Sequence, residues 1–151
     1  MTYEELLIEA DEQNLIVKEK PLADNDGRIK GNRIAIRRNI SEIQKKCILS
    51  EEIGHYHTSI GDILDQSQIL NRKQELKARL WAYNKQIGLT GLINAYEYGC
   101  KSQYEVADFL NVTEEFLADA LKFYKTKYGT HIKIDNYIIY FEPNIGILKS
   151  I

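Results

Sequence analysis

Residues Glu51-Glu52-Ile53-Gly54-His55 are the stretch of this sequence best equipped to do chemistry. Zinc peptidases place H-E-x-x-H on a helix, where two histidines one turn apart hold the metal and the glutamate beside the first acts as a general base. Here Glu51 stands at the first position. At 3.6 residues per turn, Glu51 and His55 are about 40° apart in rotation and Glu52 falls within about 60° of His55, so all three side chains can face one cavity. His57 lies about 200° round the helix from His55 and points elsewhere.

A metal site needs a third ligand, and Glu75 on the next predicted helix is the candidate. Ala78 and Ala82 share its face, and small side chains there let two helices approach closely. Catalytic zinc sites accept carboxylate oxygen as well as imidazole nitrogen and keep one position open. A set of Glu51, His55 and Glu75 carries one more negative charge than a two-histidine set. That lowers the Lewis acidity of the metal and moves its preference toward harder ions, so zinc is expected with manganese as the alternative. Glu52 would then take a proton from water as it attacks a peptide carbonyl. Tyr56, Tyr83 and His57 are oxyanion-donor candidates that the sequence does not rank. Taken bare, the pattern is weak, since paired glutamates are common on solvated helix faces. Gly54 adds weight: it costs ~1 kcal/mol against alanine in a helix, and it marks either close backbone approach or a helix near its end.

Composition narrows the alternatives. The chain has 151 residues, 44% apolar and 28% charged, with a formal charge of −2, which suits one domain with a real core. Three histidines and two cysteines cannot supply a Cys/His zinc framework, so a metal site must recruit carboxylates. No apolar run approaches the ~20 residues of a membrane span. The acidic start (Thr2-Tyr3-Glu4-Glu5) does not read as a secretory signal, and two isolated cysteines suit a reducing compartment, so the expected location is cytoplasmic.

The positioning elements can be read along the chain. A helix is expected over Thr2–Asn14, a short strand at Leu15–Val17, and turns through Pro21–Gly31. The alternation of Arg33–Arg38 predicts a half-buried strand with one basic side. Asn39 with Glu42 forms a candidate capping box for a helix running to Thr58. A loop over Ser59–Asn71 leads to a helix over Arg72–Gln86. Shorter helices follow at Thr90–Tyr98, Ser102–Leu110 and Thr113–Tyr128, and a β-branched tail with a turn at Asp135-Asn136 predicts a terminal hairpin. The fold class is α+β in a single domain: a core over 1–88, a helical subregion over 89–129 and the hairpin over 130–151.

Three segments together give the sequence a family likeness: Cys47–Thr58 (CILSEEIGHYHT), Gly61–Gln66 (GDILDQ) and Asn71–Ala82 (NRKQELKARLWA). In this order and spacing they resemble the ImmA/IrrE-type metallo-endopeptidases of phages and mobile elements, most strongly over residues 33–87. The resemblance implies a zincin-like core with an edge strand beside an active-site helix. It also implies cleavage of a helix-turn-helix repressor. By it, Glu52 matches the catalytic glutamate, His55 the second histidine ligand and Glu75 the third ligand, while Glu51 stands where the family has its first histidine. An inactive relative acting as a repressor-binding regulator is the alternative.

Other features have plainer readings. Residues 15–46 hold nine basic side chains against four acidic ones. They are read as a solvated face whose charges protect an edge strand, although the excess could also attract nucleic acid or an acidic partner. In a peptidase, the Arg33–Arg38 strand would pair with an extended substrate. Residues 102–128 have a helix-turn-helix pattern, but the second helix begins Thr113-Glu114-Glu115, which repels phosphate, so direct DNA binding is not expected. Asp62 and Asp65 either support the metal site or shape their loop, and His131 is read as structural.

Overall fold

The computed structural model describes residues 1–58 and 68–150, without the side chains of residues 68–71. The chain is α+β and divides into two compact units, Met1–Gln86 and Ile87–Ile151.

The first unit opens with helix α1 (Tyr3–Glu12), started by a capping box in which Thr2 and Glu5 exchange backbone-to-side-chain bonds. Strands β1 (Ile16–Lys20), β2 (Gly27–Lys30) and β3 (Arg33–Arg37) form a sheet in the order β1-β3-β2. The first pair is parallel and the second antiparallel. The Arg33–Arg37 strand is therefore central, with partners on both sides, and cannot pair with an added substrate strand as expected. Its free-edge reading failed because β2 is only four residues long and is enclosed by turn residues, Asn25-Asp26 before it and Gly31-Asn32 after it. Gly31, at φ 62°, closes the β2–β3 hairpin in the left-handed region that glycine adopts without strain.

Helix α2 (Glu42–Thr58) follows. Its capping box is Ser41 with Gln44, not Asn39 with Glu42: the Gln44 N–H donates to Ser41 Oγ (3.1 Å) and the Ser41 N–H donates to Gln44 Oε1 (2.9 Å). Both sequence patterns are compatible with a helix start, but this one satisfies two orphan donors reciprocally. Helix α3 spans Gln68–Gln86, beginning four residues before the expected start. The core of the unit gathers Leu6 and Ala10 of α1, Ile34 and Ile36 of β3, and Leu49 and Ile53 of α2, all close to fully buried. The inner face of the sheet thus lies against α1 and α2.

In the second unit, α4 (Gly88–Tyr98), α5 (Gln103–Leu110) and α6 (Glu114–Tyr128) pack through Leu92, Ala95, Leu117 and Tyr124. Side chains cap the last two helices: Ser102 Oγ accepts from the Glu105 N–H, and Thr113 Oγ1 from the Phe116 N–H. The tail forms a hairpin of β4 (His131–Ile134) and β5 (Tyr137–Tyr140) with Asp135 at positive φ, and β6 (Gly146–Lys149) adds a third antiparallel strand.

Candidate functional site

Helices α2 and α3 meet backbone to backbone. A Cβ added to Gly54 would fall 2.3 Å from the carbonyl oxygen of Ala78, a distance no side chain can occupy. Glycine on one helix and alanine on the other are what allow this approach, and both are fully buried or nearly so. The contact fixes the level at which neighbouring side chains meet. His55 follows Gly54, Glu75 lies one turn before Ala78, and His55 Nε2 stands 3.1 Å from Glu75 Oε2.

The other oxygen of Glu75 faces Arg79 Nε at 3.4 Å, one turn along α3. Arg79 was not singled out from the sequence, although its i,i+4 spacing from Glu75 is the visible signal. With His55 and Glu75 side chains 24% and 44% exposed, the pair lies at the mouth of the site rather than in the core.

Glu52 lies deeper, beneath the edge strand. A Cβ on Gly27 of β2 would sit 3.2 Å from both Cγ and Oε1 of Glu52 and 2.4 Å from Ile48 Cγ2, so the missing side chain lets β2 lie directly over the carboxyl group. Burial raises the Glu52 pKa from 4.5 to about 7, and the charges of Glu51 and Glu75 push in the same direction. A carboxyl near neutrality can accept a proton and return it at ordinary pH.

The sequence candidates thus fall into distinct positions. His55 and Glu75 are in contact, and Glu52 feels both Glu75 and Glu51 electrostatically. Among the described residues, no group of three or more His, Cys, Asp or Glu side chains is arranged to hold a metal ion. The His55–Glu75 pair by itself suits one. Two ligands bonded to zinc at about 2.1 Å with tetrahedral angles are about 3.4 Å apart, close to the observed separation. His57 is turned away: its Nε2 is 2.6 Å from Gln13 Oε1 and its ring lies 5.1 Å from that of Trp81. Of the other oxyanion candidates, Tyr83 is buried and Tyr56 is exposed. His131 contacts Thr130 and Tyr140 within the terminal sheet, a structural setting. Asp62 and Asp65 lie outside the described residues.

A comparison of the chain with family models matches residues 10–122 to Peptidase_M78, the IrrE N-terminal-like domain. The chain belongs to this family. Membership makes the chain a peptidase-family hydrolase with protein as its substrate class, and it points to a metal cofactor. No curated protein and no solved structure gives a significant match. No helix among the described residues is long and apolar enough to cross a membrane.

Proposed function

We propose that the chain is a cytoplasmic metal-dependent endopeptidase of narrow specificity that cleaves a helix-turn-helix repressor of a phage or mobile element. In this reading it is one domain with a zincin-like core. The observation that carries the proposal is the His55–Glu75 contact, made where Gly54 and Ala78 bring two helices together.

Glu51, His55 and Glu75 would hold the metal, zinc by preference and manganese given two carboxylates among three ligands. Such an ion supplies Lewis acidity, polarising a carbonyl and making water a better nucleophile. Glu52 is the general base. Its burial under β2 keeps its proton affinity near that of the solution, so it can take a proton from the attacking water and deliver it to the departing amine. Arg79 holds the second oxygen of Glu75 and so fixes which oxygen faces His55. Edge strand β2, lying directly over Glu52, is the strand along which an extended substrate would run. Two free cysteines, Cys47 and Cys100, suit the reducing cytoplasm.

The Arg79–Glu75 pair also favours a second reading, in which the chain has lost catalysis and binds the repressor as a regulator. An arginine competing for a ligand oxygen weakens a metal site.

The two readings separate when purified protein, supplied with zinc or manganese, is incubated with helix-turn-helix repressors of mobile elements. The peptidase reading expects cleavage at one position, abolished by chelation and reduced at least 100-fold in Glu52→Gln. Repressor binding without cleavage supports the regulator. Full cleavage by Glu52→Gln removes Glu52 as the base.

A further inference from the structure

The two faces of the β1-β3-β2 sheet differ sharply. Val17, Ile29, Ile34 and Ile36 turn inward toward the helices. Side chains alternate along a strand, so Lys18 and Lys20 of β1, Arg28 and Lys30 of β2, and Arg33 of β3 lie on the outer face, all exposed. The register draws them together: Lys18 and Arg28 flank Ala35 from opposite sides, and Lys30 pairs with Arg33. They border a shallow depression of ≈ 170 Å³. At about 3.3 Å per residue and 4.8 Å between strands, the five cations fall within a patch of roughly 10 by 13 Å.

None of the five has an ion pair among the described residues. Two of the four acids of the same segment, Glu19 and Asp26, are paired with other cations. Glu19 turns inward, where Lys45 and Tyr3 donate to it, and Asp26 pairs with Arg37. Lys45 and Lys46 have left the basic cluster altogether, Lys46 being fully buried. Five of the nine basic residues of the segment 15–46 are thus concentrated on one face of a chain whose net charge is −2.

We propose that this face binds the phosphate backbone of duplex nucleic acid, without sequence preference. Protein interfaces are depleted in lysine and centre on aromatic or other large anchors, whereas this face offers only Ala35 and Ile16 between its charges. Single strands are held by stacking on aromatic side chains, and the face has none. A membrane-surface element would carry an apolar stripe to insert. Duplex DNA instead presents one negative charge per about 1.7 Å of its axis, and phosphate contacts fix position without reading bases. The expectation against DNA contact rests on α6, whose first turn does carry Glu114 and Glu115, whereas the five cations belong to the sheet. It is also the side of the sheet away from Glu52, so the proposal does not depend on the peptidase reading.

Fluorescence anisotropy of a labelled 20-base-pair duplex of arbitrary sequence, titrated with the intact chain, tests this. Five phosphate contacts predict a log K against log[salt] slope of about −4.5, a weakening of roughly 500-fold between 50 and 200 mM NaCl. The triple variant Lys18→Ala/Arg28→Ala/Lys30→Ala, its fold checked by circular dichroism, should bind at least tenfold more weakly at 50 mM, with the slope reduced by about 2.7. The control Lys122→Ala/Lys125→Ala/Lys127→Ala removes the same charge from α6 and should change neither quantity. No duplex binding, equal loss in the control, or a retained slope in the sheet variant overturns the proposal. So does binding to polyglutamate or phosphatidylserine vesicles as tight as to the duplex.

Discussion

Helix α2 carries two ionisable side chains pushed toward neutrality, six residues apart, and they sit in contrasting surroundings. Lys46 is fully buried, and burial lowers its pKa from 10.5 to about 8. Its neighbours oppose that shift: Glu5 and Cys47 favour the charged form, and the ammonium donates to the Met1 carbonyl at 3.1 Å. Ser50 and Gln86 continue the polar cluster, with Gln86 Nε2 donating to Ser50 Oγ at 2.7 Å and Ser50 Oγ donating to the Lys46 carbonyl. At Glu52 burial is again the largest influence, but Glu51 and Glu75 push in the same direction as burial. One end of the helix compensates its buried charge, and the other compounds it. Compounded perturbation is the pattern expected of a working group, and compensated perturbation that of a structural one.

The largest effect is expected at Gly54. Gly54→Ala gains ~1 kcal/mol in helix propensity but puts a methyl group into the Ala78 carbonyl, with a net destabilisation of about 3 kcal/mol or more. Urea denaturation measures it, and His55 and Glu75 should lose their contact in the same variant. A neutral or stabilising result would mean that the helices do not touch as described.

Removing each charge gives opposite pH signatures in chelated protein. The folded pKa of Glu52 lies above its ordinary value, so the folded state binds more protons between pH 4.5 and 7 and loses stability as pH rises through that window. Glu52→Gln should therefore gain up to about 3 kcal/mol relative to wild type above pH 7 and little at pH 4. The folded pKa of Lys46 lies below its ordinary value, so the cost of burying its charge is present below pH 8 and fades as pH rises to 10.5. Lys46→Met should remove a charge cost of up to about 3 kcal/mol at pH 7, reduced by ~1 kcal/mol for the lost hydrogen bond to Met1. Denaturation midpoints across pH 4–10 check both, and gains that change with pH in the same direction for the two variants would erase the contrast.

Arg79→Ala should give the smallest change. The exposed Arg79–Glu75 pair contributes at most about 0.5 kcal/mol, so stability stays nearly constant. Zinc titration separates the two roles of Arg79: the peptidase reading, in which it orients Glu75, expects weaker binding in the variant. Unchanged or tighter binding would make Arg79 a competitor for the ligand oxygen and favour the regulator.

Much of this arrangement was legible in the sequence because helical periodicity is regular. Glu51, Glu52 and His55 were placed on one side of a helix, and Ala78 and Ala82 foretold a helix surface that another could approach. Gly54 signalled the contact itself. The rest depended on pairing between distant segments. The four-residue strand β2 is too short for its alternation to stand out among turn residues, so Gly27 over Glu52 is not visible in the sequence and the central strand reads as an edge. Lys46 reads as a solvated cation, because nothing local distinguishes a lysine that enters the core from one that does not. Ser41 and Asn39 are both good caps, and only the observed Gln44 bond decides between them.

The central claim is that α2 and α3 together form a metal site around the His55–Glu75 contact. Elemental analysis of the intact chain, after saturation with zinc or manganese and removal of free ion, tests it most directly. One metal ion per chain is expected, lost in His55→Ala and in Glu75→Gln and retained in Glu52→Gln. A chain that holds no metal, or that holds it undiminished without His55, would contradict it.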